Sequence, residues 1–342
     1  MGTKQRSYDP LLTISAISAT VSACLLIRSA VKKKCSASLP STSVIKTLEV
    51  PENLEKPIES LLNASARINK LLRSRIGSDT TQAGSSNLSG DDQLKLDIAC
   101  DEACFDEMRR SGVYEIGASE ETPEEVDLKG SGFSCGFDPL DGSSVIGSNF
   151  TIGSIFGVFP GRGVVGRKGR EMCLSGLSVY GPRTTFLLAV SGCGVWELTL
   201  VDDNRWIVSK EKIKIQEEGK VFMPGNLRAS NEDEGYGRMV RCWIEERYTL
   251  RYTGAMVAEV NYILTKGKGV FCNVSSSKAK AKLRLLYECA PIAFIVTLAG
   301  GMAIHEDTKT SVLDVTIEHL DQRCGLCLGS AKEVEKFLAI VK

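Results

Sequence analysis

Histidine is scarce in this sequence: only His305 and His319 occur among its 342 residues, and neither lies near another chemistry-bearing motif. We therefore expect neither histidine-based acid–base catalysis nor a histidine zinc site. A net charge is also missing, because 42 basic side chains balance 42 acidic ones. Without it the chain has no general attraction for nucleic acid or for a membrane surface, and we predict no nucleic-acid partner. Charge-dependent chemistry must come from local groups.

The sequence also lacks the dense cysteine spacing of a secreted disulfide scaffold. Its twelve cysteines are scattered along the chain. Such a distribution favours buried thiols in a reducing compartment. The CxxC at residues 324–327 has no second pair beside it, so it is a weak indication of a zinc or redox site.

No acidic residue occurs between residues 10 and 48, a segment rich in Ser, Thr and Ala. It contains an uncharged stretch at 11–27, at the short limit for a membrane-spanning helix, and a basic run at 32–34. This composition resembles a plastid transit peptide and predicts an organellar protein with a leader at residues 1–48. A membrane anchor, which would bring membrane contact, and a disordered extension of a cytoplasmic protein remain alternatives.

Helical periodicity begins after this segment. Apolar residues recur at helical spacing over 52–75 and again over 93–111, where Ile98 falls on the apolar stripe. The polar residues 77–90 between these helices have no apolar periodicity, and we predict a long, mobile functional loop there.

Strands dominate from 150 to 215, as short β-branched and aromatic runs separated by turns that contain glycine. Three further elements are predicted, namely a helix, a strand and a buried helix, at 236–248, 268–274 and 282–301. A final helix has Ser330 as its N-cap and Glu333 as the capping-box partner. Helices and strands thus come in blocks around mixed sheets, which indicates an α/β protein without internal repeats.

The stretch "GRGVVG" at 161–166 literally satisfies the Gly-x-Gly-x-x-Gly pattern of dinucleotide-binding proteins. That fingerprint requires an apolar helix directly after the glycines and an acidic residue about 20 residues further on. Here "RKGREM" follows, and no acidic residue lies between Glu171 and Glu197. We interpret these glycines as a loop between strands.

Acidic residues stand out in several segments, among them "SEE" at 119–121, "FDPLDGSS" at 137–144 and "KLRLLYE" at 282–288. If these carboxylates converged, each close pair would repel by about 4 kcal/mol at ~4 Å in a medium of effective dielectric ~20. Divalent cations relieve such repulsion, and oxygen donors without nearby His or Cys suit Mg²⁺ or Mn²⁺. The Gly-Ser-Ser tail adds backbone N–H groups that can bind a phosphate. Alternatively, the acids are solvated, and Asp138 and Asp141 only shape a turn.

These motifs closely resemble the family of fructose-1,6-bisphosphatases and sedoheptulose-1,7-bisphosphatases, which are metal-dependent, lithium-sensitive sugar phosphatases. The likeness covers roughly residues 50–342, and "GDDQL", "PGNLRAS" and "RYTLRYTGAMVAEVN" look most like the sedoheptulose branch. The fructose enzymes usually carry a sugar-phosphate-contacting tyrosine at Asn273, and this difference favours a seven-carbon substrate. The resemblance implies a layered α/β/α/β/α fold with mixed sheets. Its metal-binding domain would span 49–220 and its sugar-phosphate-binding domain 221–342.

The resemblance also implies roles for residues near the metal ions. Two or three Mg²⁺ ions, with Mn²⁺ as a possible substitute, would be bound by four carboxylates and one backbone carbonyl, those of Glu120, Asp138, Asp141 and Glu288 and of Leu140. Three residues match the cradle of the scissile 1-phosphate: Gly142, Ser143 and Ser144. Three acids match catalytic positions: Asp91 on a mobile loop that closes over the metals, and Asp97 with Glu121 as the pair that orients or deprotonates the attacking water.

Further positions match the family's sugar site. Four of them bind the sugar and its distal phosphate: Asn226, Tyr236, Tyr252 and Lys282. Gly254 and Met256 line the same pocket. Arg251 matches an arginine that the fructose enzymes donate across a subunit interface, so we expect a homodimer or a homotetramer. The implied reaction is Mg²⁺-dependent hydrolysis of the 1-phosphate of a sugar bisphosphate by an activated water.

Several alternatives stay open. A fructose-1,6-bisphosphatase, or an enzyme acting on both sugars, would have closely similar motifs. Phosphatases of the haloacid-dehalogenase type carry their nucleophile in Asp-x-Asp, whereas Asp138 and Asp141 are three apart. A metal-binding regulatory protein could keep the fold and lose turnover. Residues 77–90 also lack the redox cysteine pair that plant plastid sedoheptulose enzymes carry there, so we do not expect thioredoxin control through that pair.

Overall fold

The computed structural model describes residues 44–74, 82–86, 92–122, 124–202 and 204–341. Most of the predicted leader lies outside these residues, as does Asp91. Val44 and Ile45 are buried in the same apolar core as the first helix, so the folded chain begins before residue 49, the boundary that we predicted. None of the described helices combines the length and the apolar character that crossing a membrane requires.

Two short strands, β1 (Gln82–Ser86) and β2 (Asp92–Leu94), pair in antiparallel fashion. Residues 77–90 were predicted as a loop, and this prediction is wrong for β1. The sequence of β1, "QAGSS", contains no large apolar residue. Backbone hydrogen bonds can pair two strands whatever their side chains are. A strand of this kind shows no alternation of apolar and polar residues, so it could not be predicted from the sequence.

The larger sheet contains eight of the described strands: β3 (Tyr114–Ser119), β4 (Val126–Asp127), β5 (Phe133–Asp141), β6 (Ile152–Pro160), β7 (Leu174–Tyr180), β8 (Thr184–Val190), β9 (Gly194–Asp202) and β10 (Arg205–Lys210). Their spatial order is β10-β9-β8-β7-β6-β5-β3-β4. Only β3 and β5 pair in parallel, so the carboxyl ends of these two strands meet at one edge of the sheet. The strands predicted between 150 and 215 are confirmed, whereas β5, which carries "FDPLD", was not predicted.

The smaller sheet contains five strands: β11 (Val221–Pro224), β12 (Thr249–Leu250), β13 (Val270–Asn273), β14 (Met302–His305) and β15 (Leu326–Gly329). Their order is β12-β11-β13-β15-β14. The β11 strand pairs in parallel with β12 and β13, and the remaining pairs are antiparallel. Both sheets are therefore mixed, as the sequence predicted.

Six described α-helices accompany the sheets: α1 (Glu55–Ser74), α2 (Lys95–Ser111), α3 (Glu234–Glu245), α4 (Met256–Lys266), α5 (Ala290–Leu298) and α6 (Ala331–Ile340). Apolar side chains of α1 and α2 share one core with one face of the larger sheet. Those of α4 and α5 share a second core with the other face and with the smaller sheet. Those of α3 and α6 cover the far face of the smaller sheet. This succession of layers confirms the predicted α/β/α/β/α fold.

Two details of the helix predictions are wrong. Ile98 is 37% exposed, because α2 turns it towards solvent and packs Cys100 and Cys104 on the core instead. At α6, Glu333 does not complete a capping box: its carboxylate accepts hydrogen bonds from the Gly219 N–H (3.0 Å) and the Tyr248 hydroxyl (2.7 Å). Tertiary neighbours thus replace the local partners that the sequence suggested.

The described residues all belong to one compact unit. The domain boundary near residue 220 stays a prediction. The Gly-x-Gly-x-x-Gly stretch at 161–166 lies between β6 and β7, which confirms its interpretation as a loop between strands.

Candidate active site

The stretch "FDPLDGSS" marks the point at which β5 ends. Strand pairing between β5 and β6 shifts its register between Asp138 and Asp141, so the two carboxylates leave the regular ladder. Gly142 then adopts a left-handed backbone (φ +89°), and a Cβ there would come within 2.5 Å of the Ala255 Cβ. Glycine is therefore required on both conformational and steric grounds. A 3₁₀ turn at 143–148 follows.

Three carboxylates from distant parts of the chain converge beside this turn. Glu120 follows β3, Asp138 lies in β5, and Glu288 lies in a π-helical turn (Leu285–Cys289) that precedes α5. One carboxylate oxygen of each lies within 4.8 Å of the other two. Because β3 and β5 are parallel neighbours, their ends bring Glu120 and Asp138 together. We call these three residues the acidic cage.

Hydrogen bonds fix the carboxylates of the cage in place. The Leu140 N–H donates to Asp138 Oδ1 (2.8 Å), and the Arg284 N–H donates to Glu288 Oε2 (2.5 Å). The Arg284 guanidinium also forms a 2.5 Å ion pair with Glu120 Oε1. Arg284 was not predicted as a site residue, although it stands inside the "KLRLLYE" motif. A cation within an acid-bearing motif was the signal that could have identified it.

Burial makes the negative charge of this cluster costly. It raises the pKa of Asp138 well above its usual range, and the nearby Glu120, Asp141 and Glu288 raise it further. The pKa of Glu288 is raised for the same two reasons, burial first and Glu120 next. Burial also raises the pKa of Asp141 to about 6, although the Val257 N–H opposes this shift. A divalent cation would relieve this repulsion, and the all-oxygen donor set fits a hard cation such as Mg²⁺.

Asp141 lies beside the cage and has a different partner. Its Oδ2 accepts a 2.8 Å hydrogen bond from the Val257 N–H in the first turn of α4. A helix N-terminus is a favourable place for a carboxylate, since its N–H groups have no partner within the helix. Asp141 thus connects the cage to α4, the helix that follows the loop at 251–255.

The cage opens into a cavity of about 780 Å³. Fourteen of the predicted site residues line it: Asp97, Glu120, Glu121, Asp138, Leu140, Asp141, Gly142, Ser143, Ser144, Asn226, Tyr252, Gly254, Lys282 and Glu288. Residues without a predicted site role also line it, including Gly225, Arg228, Lys280 and Arg284. The same cavity therefore contains acidic side chains and the basic groups of Arg228, Lys280 and Lys282.

Of the predicted site residues that the structure describes, three are not among those that line the cavity. Tyr236 is fully buried in the core of the smaller sheet, where its hydroxyl accepts a 3.4 Å hydrogen bond from the Cys272 thiol. Met256 is buried in the core between the sheets. Arg251 is exposed, and its predicted role concerns a partner subunit. For Tyr236 the arrangement gives no support to contact with the sugar.

Near the basic side chains of the cavity, two polar side chains donate hydrogen bonds to backbone carbonyl groups. The Asn226 side-chain amide donates to the Val274 carbonyl (2.8 Å) and to the Ala279 carbonyl (2.9 Å). The Tyr252 hydroxyl donates to the Gly225 carbonyl (2.8 Å). These bonds join the loops that carry the cavity's polar side chains.

Comparison with known proteins assigns the chain to a family. Residues 42–211 match the model of the fructose-1-6-bisphosphatase N-terminal domain, and residues 215–342 match that of its C-terminal domain. The chain belongs to the fructose-1,6-bisphosphatase family. The carboxylates of the cage come from both matched regions, since Glu120 and Asp138 lie in the first and Glu288 in the second.

Two curated relatives represent the two branches of this family. The chloroplastic sedoheptulose-1,7-bisphosphatase of Triticum aestivum is 46% identical over 255 residues, which cover 73% of this chain and 64% of the relative. The class 1 fructose-1,6-bisphosphatase of Pelobacter propionicus is 36% identical over 296 residues, which cover 85% and 89% of the two chains. The chain thus spans less than two thirds of the length of the chloroplastic relative.

A solved structure extends the likeness to the fold. A protein of Toxoplasma gondii, provisionally assigned as a sedoheptulose-1,7 bisphosphatase, superposes with a TM-score of 0.80 at 33% identity. The superposition covers 90% of this chain and 98% of that protein.

Proposed function

We propose that this protein is a sugar-bisphosphate phosphatase that hydrolyses the 1-phosphate of sedoheptulose 1,7-bisphosphate, giving sedoheptulose 7-phosphate and phosphate. The observation that carries this proposal is the cavity that is lined both by the acidic cage and by the basic side chains of Arg228, Lys280 and Lys282. A sugar bisphosphate needs both, because the reacting phosphate is neutralised by cations held in the cage and the distal phosphate by basic side chains. The identity to chloroplastic sedoheptulose-1,7-bisphosphatases supports the seven-carbon substrate.

Two or three Mg²⁺ ions would be held by the carboxylates of Glu120, Asp138, Asp141 and Glu288 and by the Leu140 carbonyl. When bound, Mg²⁺ supplies a water of lowered pKa and offsets charge on the departing oxygen. Gly142, Ser143 and Ser144 offer their backbone N–H groups to the 1-phosphate. The left-handed Gly142 lets the chain turn at this place, so that the N–H groups after it can face the ligand.

Asp97 and Glu121 would orient the attacking water and accept its proton. Both line the cavity, and Asp97 is buried on the first turn of α2. Carboxylates near a reacting water act as general bases when their geometry brings them within hydrogen-bond reach of it. Asp91, for which we expect a role in closing the site, lies outside the described residues.

The distal phosphate and the sugar would contact Asn226, Tyr252, Gly254 and Lys282, which we predicted, together with Arg228 and Lys280. The exposed Arg251 would reach the site of a neighbouring subunit in a homodimer or homotetramer. The leader would direct the protein to a plastid, as the chloroplastic relatives suggest. Fusion of residues 1–43 to a fluorescent protein would test this destination against the cytoplasm.

Phosphate release measured side by side on sedoheptulose 1,7-bisphosphate and fructose 1,6-bisphosphate tests the substrate. We expect a higher kcat/KM for the seven-carbon sugar in the presence of Mg²⁺. Equal values would indicate the dual-substrate alternative, and a preference for the six-carbon sugar would refute our assignment. No phosphate release from either sugar at saturating Mg²⁺ would favour a metal-binding regulatory protein.

Asp141→Asn tests the metal site without removing a hydrogen bond that the fold uses. Asn keeps an oxygen that can accept from the Val257 N–H, but it loses the charge that a cation requires. We expect activity to be abolished while circular dichroism and the melting temperature show an intact fold. A variant with near-normal kcat would contradict the assignment of Asp141 as a ligand.

A further inference from the structure

Glu259 is a buried carboxylate that the proposed mechanism does not use. It lies on α4, one turn after the helix begins, and is only 2% exposed. It is absent from the residues that line the cavity, and no described lysine, arginine or histidine forms an ion pair with it. Burying a carboxylate without a counter-charge is unfavourable. Burying an apolar side chain at this position would destabilise the fold less. The presence of a carboxylate there therefore suggests a role for it.

Its hydrogen-bond partners all lie in the loop before α4. Glu259 Oε1 accepts from the Thr253 N–H and from the Thr253 hydroxyl (2.8 Å). Burial raises the pKa of Glu259, and the Thr253 donors together with the nearby Gly254 N–H oppose this shift. Hydrogen bonds to an ionised acceptor are about twice as strong as neutral ones. Glu259 therefore fixes Thr253, the residue between Tyr252 and Gly254, through two hydrogen bonds.

This loop forms the wall of the sugar part of the cavity. Tyr252 and Gly254 both line it, on either side of Thr253. Gly254 has a left-handed backbone (φ +103°), and a Cβ there would lie 3.1 Å from Val145 Cγ1. A shift of the loop would thus change its distance from the 3₁₀ turn at 143–148, which carries the residues that we propose for the 1-phosphate.

The helix that carries Glu259 is itself anchored in the metal region. The Val257 N–H, two residues before Glu259, donates to Asp141 Oδ2. One short helical segment therefore contacts Asp141 through its backbone and the sugar loop through the Glu259 side chain. This connection sets the position of Tyr252 and Gly254 relative to the acidic cage.

We propose that Glu259 is a positioning residue for substrate specificity: it holds the loop at 252–254 at the distance from the cage that a sugar bisphosphate requires. This inference rests on the proposed function. Loss of the carboxylate would loosen the sugar wall and leave the cage intact. Binding made equally in the ground state and the transition state would weaken, which raises KM and leaves kcat nearly unchanged.

The test compares Glu259→Ala and Glu259→Gln in the full chain with Mg²⁺. We expect the alanine variant to raise KM for sedoheptulose 1,7-bisphosphate about tenfold or more, with kcat within about threefold of the wild type. The glutamine variant, which keeps an acceptor for Thr253, should recover most of this loss. The affinity for Mn²⁺, measured by electron paramagnetic resonance, should be unchanged in both.

Glu197→Ala is the matched control. Glu197 is equally buried, at 2% exposure, but its partners are Ser209 and Lys210 in the larger sheet, away from the cavity. It should lower the melting temperature without raising KM. The same KM increase in both alanine variants, or a fall in kcat at unchanged KM for Glu259→Ala, would overturn the positioning role.

If Glu259→Ala does not fold, Thr253→Val decides the question, because it removes only the hydroxyl donor and keeps the backbone N–H. An increase in KM for Thr253→Val, smaller than that expected for Glu259→Ala, supports the proposal, and an unchanged KM for Thr253→Val overturns it. Wild-type protein that releases no phosphate from either sugar bisphosphate would overturn the proposed function and this inference together. Normal wild-type turnover with unaffected variants would overturn the positioning role alone.

Discussion

Two parts of the cavity are built in different ways. We call the part in which we propose metal binding the metal region (Glu120, Asp138, Asp141 and Glu288). The part in which we propose sugar binding is the sugar region (Asn226, Tyr252, Gly254 and Lys282). The cage carboxylates lie at the ends of β3 and β5 and in the turn before α5, where the Leu140 and Arg284 N–H groups fix two of them. The sugar region is made of loops, in which Tyr252 is 47% exposed and is held by the Gly225 carbonyl. The carboxylates of the metal region are largely buried and repel one another. The sugar region is more exposed, and backbone carbonyl groups accept the hydrogen bonds of its Asn226 and Tyr252 side chains.

This difference follows from the work that we propose for each region. Cations need several oxygens at fixed positions, and sheet ends and helix starts supply such rigidity. A sugar wall can differ in shape between substrates, and loops tolerate such variation without disturbing the fold. The family's metal chemistry could therefore stay constant while its substrate changes.

Among the variants that test this difference between the two regions, we expect the largest effect on activity from Asp138→Asn. We expect kcat to fall by about a thousandfold or more, since a ligand charge is lost from a preorganised site. The metal-free protein should become more stable, because the buried Asp138 has a raised pKa and repels Glu120, Asp141 and Glu288. A rise of about 2 °C or more in its melting temperature would show this.

The stabilisation of Asp138→Asn by added Mg²⁺ should be smaller than that of the wild type, since binding stabilises the folded state according to affinity. Thermal unfolding with Mg²⁺ and with a chelator measures both quantities. A less stable metal-free variant would show that Asp138 maintains the fold and is not a repelling member of a cation site.

A smaller effect is expected on the basic side, from Lys282→Met. Methionine keeps the length of the side chain and removes its charge, so KM for the sugar bisphosphate should rise about tenfold while kcat changes little. Initial rates over a range of substrate concentrations measure this split. As a control, Lys129→Met removes an exposed lysine that pairs with Asp127, outside the cavity, and should leave KM unchanged. A large loss of kcat in Lys282→Met would show that the two regions act as one.

The sequence predicted which carboxylates converge in the acidic cage better than which residues lie near the basic side chains, for a physical reason. Asp138 and Asp141 stand three apart in one short motif, and the spacing together with the Gly-Ser-Ser tail restricts what they can do. Arg284 was missed because an arginine in a lysine-rich segment is usually solvated, and only the fold shows it paired with Glu120. The core position of Tyr236 depends on how α3 packs on the smaller sheet, which periodicity over one helix does not determine.

The elements of the layered fold were also predicted only in part. Apolar patterns predicted α1, the strands between 150 and 215 and β13, while β5, β11, β12, β14 and β15 were not predicted. Every residue of β5 except the last, Asp141, is buried. A strand with both faces covered lacks the alternation that identifies a half-exposed one.

The smallest expected effect tests the two tyrosines against each other. Tyr236→Phe removes a hydroxyl whose hydrogen bond among the described side chains is with the Cys272 thiol, so KM and kcat should both stay within about twofold of the wild type. Tyr252→Phe removes the hydroxyl that ties the sugar loop to the Gly225 carbonyl, and KM should rise severalfold. Steady-state kinetics on the seven-carbon bisphosphate distinguish the two variants. A larger KM for Tyr236→Phe than for Tyr252→Phe would restore the role that the family resemblance gave to Tyr236, and it would mean that the core around α3 opens when substrate binds.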